Sequence, residues 1–297
     1  MNSRKIGISI LFLVVIASGC MDNTSTDSQS GKAIQVKGPE VSPSSGRIFE
    51  GSTVRVSMGV KNTGEMNGTL TVGDRGSQIL TNYCPDMFKI IRYDAQSSKT
   101  SAEHKTYFLK PGWEASFEWE LKHIGDVGIL KDKCTLNFQA PFNYSVEAYK
   151  QLQIKKNAEA GGDPSLSSKS SKGPLAIQIE TIGSSSDQGA PVFIEGDSIE
   201  LFVRFSKKTR KESPYRGLLD ISNIDLSATG ISINRSSCKI PDQIIMSEGD
   251  SQIIRCDLEY GGSIDVPSIT PQVTVKADYQ FVKDAGSRTV VVRSGGN

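Results

Sequence analysis

The chain has 297 residues, 37% of them hydrophobic and 23% charged, with 34 Lys plus Arg set against 33 Asp plus Glu. That length suits two domains of ordinary size, and that apolar share supports packed cores, so general disorder is excluded. A formal charge of +1 makes no broad positive field, which excludes nucleic acid as a partner.

The first element in chain order is an apolar run over 6–17, preceded by Arg4 and Lys5 and followed by Ser18, Gly19 and Cys20. A basic start, a short apolar stretch and small residues at its end make the pattern of a secretory signal. The run falls short of the roughly 18–20 apolar residues that a membrane span needs. Losing Arg4 and Lys5 with it takes the net charge from +1 to −1. The stretch Ala17-Ser18-Gly19-Cys20 resembles the lipobox of prokaryotic lipoproteins, with Ala17 standing where Leu is the most frequent family choice. The resemblance implies a signal peptide over 1–19, a lipidated Cys20 and a chain held to the cell membrane on its extracytoplasmic face. An ordinary cleaved signal with an incidental cysteine, or an uncleaved anchor, is the alternative. Residues 20–32 are polar and Ser-rich, with too little apolar surface to offset the entropy of ordering them, and read as a tether.

A first body is expected over 33–156. Val54, Val56, Met58 and Val60 alternate on one face of a strand that ends in the turn Asn62-Thr63-Gly64. The turn Leu109-Lys110-Pro111-Gly112 leads into a second strand with Ala115, Phe117, Trp119 and Leu121 on one face, and a last strand is expected over 144–154. Residues 157–173 are small and polar and read as a flexible linker. A second body is expected over 174–293, with inward sets Ile199, Leu201, Val203, Phe205, then Ile254, Cys256, Leu258, then Val273, Val275, Ala277, and a final strand over 289–292.

The two bodies read as a divergent repeat. Phe49-Glu50-Gly51-Ser52-Thr53-Val54 matches Ile194-Glu195-Gly196-Asp197-Ser198-Ile199. Glu118-Trp119-Glu120-Leu121 matches Arg255-Cys256-Asp257-Leu258, and Ser145-Val146-Glu147-Ala148 matches Thr274-Val275-Lys276-Ala277. Short alternating strands with turns between them predict an all-β fold of two tandem immunoglobulin-like antiparallel β-sandwiches. Glu50-Gly51-Ser52, Val60-Lys61-Asn62-Thr63-Gly64 and Leu109-Lys110-Pro111-Gly112 make the first body similar to the CARDB-like and related immunoglobulin-like modules of archaeal and bacterial surface proteins. That resemblance implies a spacer, an adhesive unit or a binding platform. The second body departs from it, with Ser206-Lys207-Lys208 in place of the Asn-Thr-Gly turn.

Setting Cys20 aside leaves Cys84, Cys134, Cys238 and Cys256. An even number in an exported chain predicts two disulfides, and the division into bodies favours Cys84–Cys134 and Cys238–Cys256. A metal site is the rival reading, but no Cys-x-x-Cys spacing occurs and His104 and His123 lie apart. Both His are expected at the surface. No Gly-x-Ser-x-Gly elbow, phosphate-cradling loop, His-Glu-x-x-His or calcium-loop spacing is present, so neither catalytic residue nor metal nor cofactor is assigned. Lys207, Lys208, Arg210 and Lys211 concentrate positive charge in an expected loop, either a solvated hairpin or a docking point for an acidic polymer or partner. Tyr83, Phe88, Tyr93, Tyr107, Phe108 and Trp113 crowd the region of Cys84 and either fill the core or form a contact site. Among the Asn-x-Ser/Thr sequons, Asn67 and Asn234 are the better glycosylation candidates because they sit near expected turns.

The expected function is a lipid-anchored, non-catalytic surface protein serving adhesion, envelope architecture or a membrane assembly, with a protein or surface-polymer partner. A ligand- or carbohydrate-binding lipoprotein is the alternative, and a hydrolase comes third.

Overall fold

The structure is a computed structural model, and it describes residues 33–97, 105–125, 127, 131–158, 166–170, 173–183, 192–207, 216–247 and 249–294. Among these residues nearly all regular structure is strand. In the first half the strands are β1 (Ile34–Ser42), β2 (Arg47–Phe49), β3 (Thr53–Asn62), β4 (Gly68–Thr71), β5 (Leu80–Asn82), β6 (Phe88–Ser97), β7 (Thr106–Leu109), β8 (Glu114–His123), β9 (Asp132–Gln151) and β10 (Gln153–Lys155). The second half follows with β11 (Ser168–Ser170), β12 (Leu175–Gly183), β13 (Val192–Ile194), β14 (Ile199–Lys207), β15 (Arg216–Thr229), β16 (Ser232–Asn234), β17 (Gln243–Met246), β18 (Ser251–Glu259), β19 (Ser268–Ile269) and β20 (Gln272–Arg293).

Each half contributes a four-stranded antiparallel sheet, in order β1-β3-β8-β6 and β12-β14-β18-β16. The alternation read from sequence sets their inner faces: Val54, Val56, Met58 and Val60 are buried on β3, and Ala115, Phe117, Trp119 and Leu121 on β8. Ile199, Leu201, Val203 and Phe205 do the same on β14. The sequence repeat is also a repeat of register. Val56 lies opposite Trp119 in the first sheet, and its counterpart Leu201 lies opposite Cys256, the counterpart of Trp119, in the second.

Both four-stranded sheets belong with one large sheet that runs through both halves, in order β17-β15-β20-β9-β4-β7. Its centre is an antiparallel ribbon in which β9 and β20 pair from Gln151–Gln272 to Asp132–Val292. Glu147 faces Lys276 across this ribbon, at matching positions of the repeat, and the two side chains form an ion pair at 3.3 Å. On the inner side Phe142, Tyr144, Tyr279 and Phe281 are all buried and pack ring against ring, with centroids 5.7 to 6.1 Å apart, Tyr279 and Phe281 stacked and Tyr144 edge-on to Tyr279. They join the two cores into one apolar cluster. Burial of such large rings is a dominant stabilising term in any core.

The ends of the ribbon are exchanged between the halves. The far end of β20 runs into the first half, where Arg47, Ile48 and Phe49 of β2 pair in parallel with Val291, Val292 and Arg293. Past the end of β9, β10 runs into the second half, where it lies between β13 and β19. Val290 and Val292 are therefore fully buried beside first-half strands, and Leu152 and Ile154 are buried beside second-half strands. The expected bodies over 33–156 and 174–293 thus each hold the other's terminal strand. Within the expected linker over 157–173, β11 pairs with Ala148, Tyr149 and Lys150 of β9, a stretch of that edge beyond the reach of β4. The Ser167 hydroxyl donates to Gln151 Oε1 at 2.9 Å beside it.

Asn62 shows how a turn residue becomes part of the core. It is fully buried; its Nδ2 donates to Leu109 O at 2.8 Å and Met66 O at 2.9 Å, and its Oδ1 accepts from Gly64 N at 2.9 Å. One amide therefore ties together the turn after β3, the approach to β4 and the end of β7. Asn62→Ala removes the side-chain donor to Leu109 O and Met66 O, while Gly64 N keeps Ala33 O as acceptor at 3.1 Å, at about 1–3 kcal/mol for each carbonyl that water cannot reach. Urea unfolding of Asn62→Ala against wild type is expected to show a loss in that range. A change within error would mean that solvent reaches this corner.

Candidate functional site

The disulfides form as the sequence predicts. Cys84 bonds Cys134 with Cα atoms 6.0 Å apart, and Cys238 bonds Cys256 with Cα atoms 4.4 Å apart. The first joins the turn before β6 to β9; the second joins the turn after β16 to β18. Both fit an oxidising, extracytoplasmic setting. No helix among the described residues is long and apolar enough to cross a membrane, and Cys20 lies outside the described residues.

Lys207 departs from the expected basic loop. It is the last residue of β14, opposite Leu175, and is only 4% exposed. It occupies the register position that Asn62 holds in the first half, where Asn62 faces Ile34, so the strand claims it before the loop begins. Lys208, Arg210 and Lys211 lie outside the described residues, as does His104. His123 also departs from the surface position expected for it. It ends β8, is 2% exposed, accepts from Gly51 N through Nδ1 at 3.4 Å, and meets Phe88 edge-on at 5.6 Å. A ring held as an acceptor against a backbone N–H is packing for the β2–β3 corner.

The aromatic residues near Cys84 are mostly core. Phe88 and Tyr107 are buried, while Tyr83, Tyr93 and Trp113 are half-buried. Tyr93 packs on Trp119 at 5.7 Å and Tyr107 on Phe117 at 5.5 Å. Burial, with smaller contributions from nearby groups, pushes the Tyr93 and Tyr107 phenols above their ordinary range. Only Phe108, on edge strand β7, is substantially exposed, at 43%. Of the sequons, Asn67 is exposed at the entry to β4. Asn234 ends β16 with its side chain committed: Nδ2 donates to Glu259 at 2.6 Å, and Oδ1 accepts from Ser236 N and Oγ.

The three large faces differ in chemistry. On the outer face of β1-β3-β8-β6 a cleft of about 260 Å³ is lined by Lys37, Glu40, Asp94, Glu114 and Glu118 among others. Charges there are paired, Lys37 with Glu114 at 2.6 Å and Arg55 with Glu118 at 3.0 Å. On the face of β12-β14-β18-β16, Arg255 pairs with Glu200 and lies over the Phe202 ring. The shared sheet is different. Its outer face carries a transverse row set by pairing across six strands: Ile245, Asp220, Gln280, Asn143, Thr69 and Phe108.

Two clefts lie in line on this outer face. One, of about 360 Å³, takes in Asn67, Thr69, Phe108, Asn143, Ser145, Ser222, Asn223, Asp278 and Gln280. The other, of about 440 Å³, takes in Thr81, Asn137, Gln139, Val282, Asp284 and Ser287. Between them Pro141 faces Val282 across the ribbon. The carboxylates are engaged as acceptors: Asp278 takes Ser145 Oγ at 2.6 Å and Asn223 Nδ2 at 3.3 Å, Asp284 takes Gly286 N at 2.8 Å, and Asp220 takes Gln243 Nε2 at 2.8 Å. Neither Lys nor Arg lines either cleft among the described residues. Of its residues the sequence singled out Asn67, as a favoured sequon, and Phe108, among the aromatic residues near Cys84; the others are ordinary outward positions on separate strands. Compared with family models and with curated proteins, the chain matches none.

Proposed function

We propose that the protein is a lipid-anchored, non-catalytic cell-surface scaffold, held to the membrane through Cys20 and acting in adhesion, envelope architecture or a membrane assembly. The observation that carries this reading is the shared sheet with exchanged ends, which makes two repeats one continuous body. Two sandwiches on a flexible linker would move independently. A body joined through a long paired ribbon instead keeps the two halves in one fixed arrangement, which the expected tether over 20–32 would carry clear of the membrane. The two disulfides suit such exposure. The test is fractionation of cells producing the wild type and Cys20→Ala, with cross-linking of intact cells alongside. Wild type should sit in the membrane fraction and cross-link reproducibly to an envelope component, with Cys20→Ala released. A Cys20→Ala protein that stays membrane-bound contradicts the anchor, and a wild type that cross-links to nothing contradicts the scaffold role.

A further inference from the structure

We propose that the outer face of the shared sheet is a binding site for a neutral, hydroxyl-rich polysaccharide laid along the β9–β20 ribbon. This deepens the scaffold reading by naming what the scaffold holds, and it rests on that reading only for where the polymer is met.

The argument begins with the parity of the ribbon. Even-numbered residues of β9 from Cys134 to Ala148 are buried, so Asn137, Gln139, Pro141, Asn143 and Ser145 face out. On β20 the buried set is Val273, Val275, Ala277, Tyr279 and Phe281, so Asp278, Gln280 and Val282 face out beside them. From Asn137 to Ser145 this strip runs about 27 Å at the usual rise per residue, a length that suits an extended chain better than a compact ligand.

Its chemistry selects among polymers. Side-chain amides both donate and accept, hydroxyls do the same, and an ionised carboxylate accepts at about four lone-pair positions. Asp278 spends part of that capacity orienting Ser145 and Asn223, and retains acceptor positions for a ligand hydroxyl. A sugar ring presents this mixture in reverse, hydroxyls around its edge and C–H groups on its faces. Pro141 with Val282 at the middle of the strip, and Phe108 at its flank, supply apolar surface for those C–H faces.

The alternatives fit less well. An acidic polymer requires several Lys or Arg; among the described residues neither lines these clefts, the ribbon's Lys276 is held by Glu147, and Arg216, opposite Val282, brings one cationic residue into register beside the strip. A protein interface draws its affinity from aromatic and Arg anchors in an apolar centre. Here no aromatic or Arg anchor sits at the centre among the described side chains: Pro141 and Val282 make a small apolar step between amides and hydroxyls, and the larger Ile245 and Phe108 stand at opposite ends of the row.

The test uses the full-length protein in affinity gel electrophoresis, with the neutral and the acidic polysaccharide fractions of the producing cells' envelope as probes. The neutral fraction should retard the wild type. Gln139→Ala with Gln280→Ala, which removes one amide from each cleft and no sequon, should weaken that retardation by about tenfold. Phe108→Ser should weaken it while leaving the ribbon amides in place, and Arg255→Ser on the far sheet should leave it unchanged. Thermal unfolding of each variant separates loss of binding from loss of fold. The inference is overturned if the neutral fraction fails to retard the wild type, if only the acidic fraction does so, or if the folded double variant is retarded equally. Binding by full-length protein in a gel does not depend on the anchor, so this test can fail while the fractionation test succeeds, and the reverse.

Discussion

Replacing Trp119 with Ala should cost the protein about 3–5 kcal/mol, the range for removing a buried Trp or Phe side chain. Trp119 is fully buried at the centre of the first half, with ring centroids of Tyr93, Phe117 and Phe138 at 5.7, 6.1 and 6.3 Å. Its indole Nε1 donates to Arg75 O at 2.9 Å, so truncation also strands a carbonyl. The chain before β5 is moulded to the ring: Gly76 has φ +75°, and a Cβ there would stand 2.7 Å from Trp119 Cζ2. The loss should appear in denaturant unfolding as one transition shifted to lower concentration, because the first core continues into the second through the ribbon. Two separated transitions would mean that the halves unfold independently and that the ribbon does not couple them.

The second large effect is expected at the disulfides. Cys84 and Cys134 are 50 residues apart and Cys238 and Cys256 are 18 apart. Restricting the unfolded chain by loops of those lengths is worth about 4 and about 3 kcal/mol on the chain-entropy account. Replacing Cys84 and Cys134 together with Ala should therefore destabilise more than replacing Cys238 and Cys256. The structure adds a second reason for that order. Cys134 lies on β9 opposite Val290, a residue of the exchanged end of β20, so the first bridge fixes the strand against which that end is laid. Urea unfolding of the two double variants decides the matter, and an order reversed from this one would contradict it.

Much of the all-β architecture was legible because its signals are local. Alternation on β3, β8 and β14 follows directly from single runs such as Val54, Val56, Met58 and Val60. The matched segments Phe49–Val54 and Ile194–Ile199 mark equivalent corners; counting the cysteines gives two bridges, and the division into two bodies favours their pairing. The exchanged strands were not legible, and Pro141 is one reason. Proline lacks an N–H and argues against a central strand, yet β9 runs through it. It falls between the stretches of β9 paired to β5 (Phe138) and to β4 (from Phe142), where no strand among the described residues occupies that side. Gly286 is another. The set Val273, Val275, Ala277 and the final strand over 289–292 read as separate strands, but both belong to β20, which bulges between Asp284 and Gly286, with Gly286 at φ +92° and its N–H held by Asp284. A bulge between Ile90 and Arg92 likewise breaks the parity of β6 and hides it from an alternation search. Asn67 and Phe108 were legible one by one, but the face they share was not, because which outward residues lie side by side is decided by the pairing of β9 with β20 and β4.

The most direct measurement of the exchange is hydrogen exchange with mass spectrometry on the full-length protein, comparing wild type with Val292→Ala and Ile154→Ala. Val292 is fully buried and pairs with Ile48 of β2, while Ile154 is buried and pairs with Phe193 of β13. Val292→Ala, though near the end of the sequence, should speed exchange in β2 and in residues 132–138 of the first half. Ile154→Ala should do so in β13 and β19 of the second. If Val292→Ala loosened only β12, β14 and β18, and Ile154→Ala only strands of the first half, each repeat would close on its own terminal strand and the exchanged, single-body architecture would be wrong.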